Sequence, residues 1–282
     1  MAIPNFLIIG AARSGSTYLA RNLATHPSVF LPVEKELHYF DRAEEQDWSD
    51  YEQYFVGTEA DHTAVGEATP TYMCSAETAD RIHEALPEAK LIAILRDPVD
   101  RAYSHYWNVV AEYEETASMS YAEKKEAHPF SEKLETHPRL IEDGLYAQNL
   151  QPFLDRFGRD QLLVLIFEEV TEDPDAQFSR AFRFLGVDDE FRSPLLDRRI
   201  NSSSQKHGRS HLLLRLYNFF TAYVRVPFLA RFIEQTNELT YPPMRDDLRA
   251  ELAERFEAPN RQLERLLERP IHEWSHTTAD HV

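Results

Sequence analysis

The sequence predicts an α/β fold in which a parallel β-sheet is flanked by helices and followed by a helical C-terminal region. Short apolar runs alternate with stretches of helical periodicity over much of the 282 residues. This alternation is typical of parallel strands covered by helices on both faces. Over 205–282 only helical periodicity remains. No internal repeat or low-complexity linker is visible, so we expect a single domain over 1–282.

Short apolar runs bounded by turn or capping residues predict the strands. The run F-L-I-I comes directly before a glycine turn, and the run L-I-A-I-L follows Pro87 and ends at Arg96. Both are too short to be buried helices. The predicted strands are 6–9, 63–67, 91–95 and 161–170.

Proline and glycine mark where the predicted helices begin and end. Pro174 suits the first position of a helix, and Gly158 suits the position after the last turn. The region 114–139 is charged and contains Pro129 and Pro138, which predicts an insertion with broken helices. The predicted helices are 16–24, a short one near 49–55, 76–86, 98–113, 146–158, 174–187, 211–220, 247–256 and 260–269.

A glycine loop joins the first strand to the first helix. Its sequence, G-A-A-R-S-G-S-T, matches the triphosphate-binding loop G-x-x-x-x-G-K-[ST] except that Ser16 stands at the lysine position. Backbone N–H groups at such a loop and at a helix N-terminus favour an anion. The loop therefore predicts a P-loop-type fold that binds a short anionic group; a glycine turn without a ligand is the alternative. The residues expected at the anion are Arg13, Ser14, Gly15, Ser16 and Thr17.

The junction after the strand at 91–95 carries an arginine. Arg96 stands where this strand ends, and Asp97 and Pro98 suit the cap and first position of the next helix. Ser104 lies about two turns into that helix. A triphosphate enzyme usually places a Mg²⁺-binding aspartate at such a strand end, whereas a guanidinium suits a phosphate. The alternative is a surface ion pair of Arg96 with a neighbouring aspartate.

Together, these two segments resemble the sulfotransferase family that uses 3′-phosphoadenosine 5′-phosphosulfate. A-A-R-S-G-S-T looks like the motif for the 5′-phosphosulfate, and L-R-D-P-V-D-R-A-Y-S-H-Y looks like the motif for the 3′-phosphate. The resemblance implies that the loop holds the sulfate-bearing end of the donor, while Arg96 and Ser104 hold the 3′-phosphate. Many members have lysine where this chain has Arg13, which keeps the charge but changes the donor geometry.

A third segment is similar to the K-E-x-H-[FY]-F-D stretch of bacterial and Golgi-type sulfotransferases, including the heparan sulfate 3-O-sulfotransferases. Here it reads K-E-L-H-Y-F-D. The glutamate is the catalytic base in those relatives, which implies this role for Glu36. An imidazole can also take a hydroxyl proton, so His38 stays open as the base or as a positioning residue. If the stretch is extended, Glu36, His38 and Phe40 share one face.

Two weaker matches complete the resemblance. G-E-A-T-P-T-Y-M resembles a family stretch that lines the substrate cleft, which makes Glu67 and Tyr72 candidates for substrate contact. N-S-S-S-Q-K-H-G-R-S-H loosely resembles a basic loop that closes over the 3′-phosphate, through Lys206 and Arg209. A solvated loop is the alternative for this second segment.

Composition limits the partners. The net charge is −18, from 48 acidic and 30 basic residues, which argues against nucleic acid and weakens a heparin-like acceptor. Cys74 is the single cysteine, so an internal disulfide is impossible and a cytoplasmic location is expected. No stretch is apolar enough to span a bilayer, and the N-terminus lacks the features of a secretory signal. No Cys/His cluster has metal-site spacing, so we expect no metal.

These observations predict a sulfotransferase that moves a sulfuryl group from 3′-phosphoadenosine 5′-phosphosulfate to an acceptor hydroxyl and releases adenosine 3′,5′-bisphosphate. Its catalytic residues would be Glu36, Arg13 and His38. The acceptor would be a small alcohol, a sugar or a lipid. The alternatives are a P-loop kinase or nucleotide hydrolase with a displaced cation, and a non-catalytic nucleotide-binding protein. The identity of the acceptor and the oligomeric state stay open.

Overall fold

The structure, a computed structural model, describes residues 3–42, 47–113, 119–196 and 241–274. Within these residues, five parallel strands form one sheet in the order β2-β3-β1-β4-β5. The predicted α/β fold with a parallel sheet flanked by helices is therefore confirmed. The strands are β1 (Phe6–Gly10), β2 (Val29–Phe30), β3 (Ala64–Ala68), β4 (Lys90–Leu95) and β5 (Leu162–Ile166).

Helices cover the sheet and extend beyond it. The described helices are α1 (Ser16–Leu23), α2 (Trp48–Glu52), α3 (Ala76–Ala85), α4 (Pro98–Glu112), α5 (Tyr121–Ala127), α6 (Phe130–Thr136), α7 (Arg139–Glu142), α8 (Tyr146–Phe157), α9 (Phe167–Glu172), α10 (Pro174–Leu185) and α11 (Asp246–Leu267). Single 3₁₀ turns lie at Gln53–Phe55, Tyr72–Cys74 and His272–Trp274. Among the described residues of 114–139, α5 and α6 are two short helices, the second of which follows Pro129.

The two faces of the sheet are buried by different helices. Successive side chains of a strand point to opposite faces, so Ile8 of β1 belongs to one core cluster and Leu7 to the other. The cluster of Ile8 contains apolar side chains of α1 and α10, whereas that of Leu7 contains those of α3 and α8. Burial on both faces explains why the strands read as continuous apolar runs.

The structure differs from the predicted elements at three places. The strand predicted over 161–170 ends at Ile166, because Glu168 turns into α9 and accepts hydrogen bonds from the Asp97 backbone N–H and the indole of Trp274. β2 has two residues and was missed, since so short a run shows no periodicity. The helices predicted at 247–256 and 260–269 are one helix, α11, with Pro259 inside it. The helix predicted at 211–220 lies outside the described residues.

Burial explains how α11 continues through a proline. Pro259 removes one backbone hydrogen bond, which disfavours an isolated helix. Phe256 before it and Leu263 after it are both buried, each no more than 1% exposed. The two sides of the helix are therefore fixed by packing, and tertiary contacts outweigh the local preference.

The topology brings two strand-to-helix junctions to one edge of the sheet. β1 and β4 are parallel neighbours, so their carboxyl ends lie side by side. The glycine loop follows β1 and leads into α1, and Arg96 follows β4 and leads into α4. Ligands of open α/β sheets bind at this edge.

Candidate active site

The glycine loop has the backbone that its sequence predicts. Gly15 adopts a left-handed conformation, with φ of 92°, at the N-cap of α1. A Cβ atom there would lie 2.7 Å from Cδ2 of Phe167, so both the conformation and the close packing require glycine. The first turn of α1 thus follows an open backbone loop, the arrangement that favours an anion.

Arg13 reaches from this loop to α4. Its Nε and Nη2 donate to Oγ of Ser104 at 3.3 and 3.2 Å, and its Nη1 donates to Oδ1 of Asn108 at 3.2 Å. Ser104 is buried, 1% exposed. The structure therefore joins a residue of the first motif to a residue of the second.

Arg96 lies at the end of β4 beside the loop. Its guanidinium carbon is 5.4 Å from the centroid of the Phe167 ring, the ring that also packs on Gly15. A cation over an aromatic face is held without losing its hydrogen-bonding capacity. The backbone carbonyl of Arg96 accepts a hydrogen bond from the buried hydroxyl of Tyr146 at 2.8 Å. The Phe167 ring thus supports the half-buried side chain, and Tyr146 holds the backbone of the same residue.

A buried arginine, which the sequence patterns did not indicate, fixes the first turn of α4. Arg101 is fully buried and donates to the carbonyl of Leu140 at 2.5 Å. Its Nη1 lies 3.3 Å from Nδ1 of His105 and 3.9 Å from the carboxylate of Asp143. Burial and the neighbouring Arg101 charge lower the pKa of His105 to about 4, so this imidazole is neutral near pH 7. These contacts anchor the helix that presents Ser104.

Lys35 lies at the glycine loop, although the sequence analysis did not select it. Its Nζ donates to Oγ of Ser16 at 3.2 Å and to Oγ1 of Thr17 at 3.0 Å. The same nitrogen lies 3.3 Å from Oε1 of Glu36. The signal was present in the sequence, because lysine precedes glutamate in the K-E-L-H-Y-F-D segment. Long-range placement at the loop could not be read from that adjacency.

The segment with Glu36 is not extended. Glu36 and His38 have positive φ, 64° and 53°, so the expectation that Glu36, His38 and Phe40 share one face through strand alternation is wrong. Left-handed conformations are costly for such residues and persist only where the surroundings enforce them. Here the backbone N–H of Glu36 donates to the carbonyl of Ala68 at 3.0 Å, which ties the segment to the end of β3.

His38 is oriented by a carboxylate. Its Nδ1 lies 2.9 Å from Oδ2 of Asp41, and the Thr71 hydroxyl donates to the same oxygen at 2.6 Å. A carboxylate beside Nδ1 favours the tautomer with the proton on that nitrogen, which leaves Nε2 as the proton acceptor. The carboxylate of Glu36 and Nε2 of His38 are therefore both able to take a proton.

Glu67 and Tyr72 support this segment from beneath. The Tyr72 hydroxyl accepts from the backbone N–H of Tyr39 at 3.0 Å and donates to Oε1 of Glu67 at 2.7 Å. The hydroxyls of Tyr51 and Thr69 also donate to Glu67. Glu67 and Tyr72 are buried, 1% and 0% exposed, so their expected contact with substrate is wrong in this structure.

The carboxyl group of Glu67 has an unusual affinity for its proton. Burial raises its pKa from 4.5 to about 7, although the hydroxyl donors of Thr69, Tyr72 and Tyr51 act in the opposite direction. The sequence could not reveal this property, because burial depends on how α2 and the Tyr72 turn close over β3.

The structure thus places most predicted site residues along one edge of the sheet. This edge carries Arg96 and the loop residues Arg13, Ser14, Gly15, Ser16 and Thr17. Ser104 is hydrogen-bonded to Arg13. Glu36 is connected to the loop through Lys35. Lys206 and Arg209 lie outside the described residues. Within the described chain, no group of three His, Cys, Asp or Glu side chains is arranged to hold a metal ion.

The chain is similar to known proteins in sequence and fold. A family model described as "Sulfotransferase family" matches residues 33–191, which is more than half of the chain. The chain belongs to the sulfotransferase family. The crystal structure of a sulfotransferase from Alicyclobacillus acidocaldarius is similar, with a TM-score of 0.68 and 28% identity, over 97% of this chain and 99% of that one.

Curated relatives of this sulfotransferase-family chain are longer proteins. Heparan sulfate glucosamine 3-O-sulfotransferase 3B1 of Mus musculus is 31% identical over 189 residues, 66% of this chain and 46% of that protein. Bifunctional heparan sulfate N-deacetylase/N-sulfotransferase 3 of Homo sapiens is 28% identical over 286 residues, 96% of this chain and 31% of that protein. The chain therefore spans half or less of the length of these relatives. Among the helices that the structure describes, none is long and apolar enough to cross a membrane.

Proposed function

We propose that this protein transfers the sulfuryl group of 3′-phosphoadenosine 5′-phosphosulfate to the hydroxyl of an acceptor. The observation that carries the proposal is the contact path from the loop to the candidate base, in which Lys35 bonds Ser16 and Thr17 on one side and Glu36 on the other. An anion-binding loop and a proton acceptor are thereby adjacent. Membership of the sulfotransferase family supports the same reaction.

In the proposed reaction, Glu36 accepts the proton of the acceptor hydroxyl while the hydroxyl oxygen bonds to sulfur. The bond between sulfur and the bridging oxygen breaks, and its electron pair stays on the 5′-phosphate of adenosine 3′,5′-bisphosphate. Arg13 and the backbone N–H groups of the loop stabilise the charge that grows on that phosphate. His38 orients the acceptor, or replaces Glu36 as the base.

Arg96 and Ser104 would bind the 3′-phosphate and select this donor over nucleotides without that group. The support is their position after β4, where Arg96 lies at the strand end over the Phe167 ring and Ser104 lies in the helix that follows, α4. A guanidinium and a hydroxyl can both donate to phosphate oxygens. Lys206 and Arg209 are proposed as further cations for the same phosphate.

The acceptor is proposed to be a small alcohol, a sugar or a lipid. The heparan sulfate relatives point to sugars, whereas the net charge of −18 disfavours long polyanionic chains. We also propose a cytoplasmic location, which the single cysteine, Cys74, supports.

The deciding experiment is incubation of the protein with ³⁵S-labelled donor and an extract of the source cells, followed by mass spectrometry of the labelled product. Labelled product that depends on the protein supports the proposal and identifies the acceptor. Donor binding without transfer to any extract component or to a panel of alcohols and phenols would indicate a non-catalytic nucleotide-binding protein. Mg²⁺-dependent turnover of ATP without sulfuryl transfer would indicate a kinase or nucleotide hydrolase.

A further inference from the structure

The glycine loop lacks a cation at one position, and a side chain from another segment lies there. Ser16 occupies the place of the lysine in the triphosphate-binding loop. The Nζ atom of Lys35 lies within 3.2 Å of the Ser16 hydroxyl and 3.0 Å of the Thr17 hydroxyl. We propose that Lys35 is the second cation of the donor site and binds the sulfuryl group itself. This inference rests on the proposed sulfuryl transfer.

The register of the sheet delivers Lys35 to the loop. β3 pairs with β1 so that Ala68 lies opposite Ile8, two residues before the loop begins. The carbonyl of Ala68 accepts the backbone N–H of Glu36, which fixes the neighbouring Lys35 beside the first turn of α1. The Lys35 side chain is 24% exposed, so it is held against the protein and does not extend into solvent.

The hydrogen bonds of Lys35 prepare the loop for an anion. A hydroxyl that accepts from an ammonium group keeps its own proton to donate. Ser16 and Thr17 therefore point acceptor lone pairs at Lys35 and retain O–H groups for a sulfuryl or phosphate oxygen. Three donors surround the anion in this way: one ammonium and two hydroxyls.

The positive charges of Lys35 and Arg13 lie on different sides of the site. The guanidinium of Arg13 is directed to Ser104 and Asn108 of α4. The ammonium of Lys35 is on the side of the Ser16 and Thr17 hydroxyls and of Glu36, where the proton of the acceptor must be taken. A cation on that side is placed to bind sulfuryl oxygens while the base works beside it. Lys35 would then exchange its bond to Glu36 for one to the sulfuryl group, which releases the carboxylate to act as the base.

Two nucleotides, one with the sulfuryl group and one without it, test the proposal. Calorimetry should be run with 3′-phosphoadenosine 5′-phosphosulfate and with adenosine 3′,5′-bisphosphate, without acceptor, on the wild type and on Lys35→Ala. Loss of a hydrogen bond from a charged donor should weaken binding of the phosphosulfate about tenfold or more. Binding of the bisphosphate, which has no sulfuryl group, should change by no more than about twofold.

Further variants separate charge from folding. Lys35→Arg keeps the charge and should keep part of the preference for the phosphosulfate, whereas Lys35→Met keeps the apolar stem and should lose it. Arg21→Ala removes one charge from the exposed far end of α1 and should leave both affinities unchanged. Thermal melts of all variants identify any that do not fold, and Lys35→Met then replaces Lys35→Ala.

The outcomes are distinguishable from failure of the proposed function. If the wild type binds neither nucleotide, the proposed sulfuryl transfer falls. A different outcome is a wild type that binds both nucleotides while the loss of Lys35 weakens the two affinities equally or leaves both unchanged. In that case the donor site stands and the role of Lys35 at the sulfuryl group is overturned.

Discussion

Arg13 donates to a single oxygen, Oγ of Ser104, from two nitrogens at 3.3 and 3.2 Å, although the two residues are 91 positions apart. A serine hydroxyl has two lone pairs and can accept both bonds. The two segments that resemble the 5′ and 3′ motifs of the family are therefore linked directly in the folded chain. Substitutions of Arg13 and Ser104 should not act additively, because residues that share a contact are coupled.

The first prediction concerns Arg13. Arg13→Ala should lower the turnover number about 10²–10³-fold, the usual effect of removing a donor that stabilises transition-state charge. Arg13→Lys should retain more activity, because the charge remains. The measurement is the rate of ³⁵S transfer to the acceptor that the labelled-extract experiment identifies, with Arg21→Ala as a control that removes a distant charge. Unchanged turnover in Arg13→Ala would exclude this residue from the mechanism.

The second prediction concerns Arg96 and the 3′-phosphate. The affinity ratio between adenosine 3′,5′-bisphosphate and adenosine 5′-monophosphate measures what the 3′-phosphate contributes. Arg96→Ala should reduce this ratio about tenfold or more, since a charged hydrogen bond is lost, and leave the affinity for the monophosphate nearly unchanged. Calorimetry on both nucleotides provides the test. An equal loss for both nucleotides would mean that Arg96 supports the loop and does not bind the 3′-phosphate.

Local sequence was sufficient for the elements and insufficient for the contacts between them. The loop at Gly15, the cap at Asp97 and the parallel sheet follow from glycine, capping and apolar patterns within a few residues. The contact of Lys35 with Ser16 depends on the β1–β3 register, which no local pattern encodes. The hydrogen bond from the Tyr51 hydroxyl of α2 to Glu67 likewise joins two separate segments.

The backbone of the segment that carries Glu36 shows the same limit. Alternation along an extended strand was a reasonable expectation for Glu36, His38 and Phe40. Tertiary hydrogen bonds to Ala68 and Tyr72 instead hold Glu36 and His38 at positive φ. A sequence pattern reports average backbone preference and cannot report a conformation that distant partners impose.

The third prediction distinguishes the two candidate bases. Glu36→Gln should abolish turnover while binding of adenosine 3′,5′-bisphosphate persists, because the amide keeps the shape of the side chain but cannot accept the proton. His38→Gln should lower turnover less and raise the KM for the acceptor, as expected for a positioning residue. The comparison uses ³⁵S transfer for rate and calorimetry for binding. Robust turnover in Glu36→Gln together with an inactive His38→Gln would reverse the assignment.

The fourth prediction concerns Glu67, which is buried beneath the segment that carries Glu36. Its pKa is raised from 4.5 to about 7, mainly by burial. Between these values the unfolded chain is ionised at Glu67 and the folded chain keeps the proton, so folding stability falls as pH rises. Below pH 4.5 both states are protonated, and above pH 7 both are ionised. A shift of this size corresponds to about 3 kcal/mol.

Glu67→Gln isolates this effect, because glutamine does not titrate. Urea unfolding of both proteins between pH 5 and pH 8 should show that the wild type loses stability relative to Glu67→Gln as pH rises to 7 and that the difference is then constant. Glu88→Gln, a surface substitution, controls for the change in net charge. A difference between wild type and Glu67→Gln that does not vary with pH would show that the buried carboxyl titrates alike in the folded and unfolded chains, and a difference of the opposite sign would show that folding lowers its pKa.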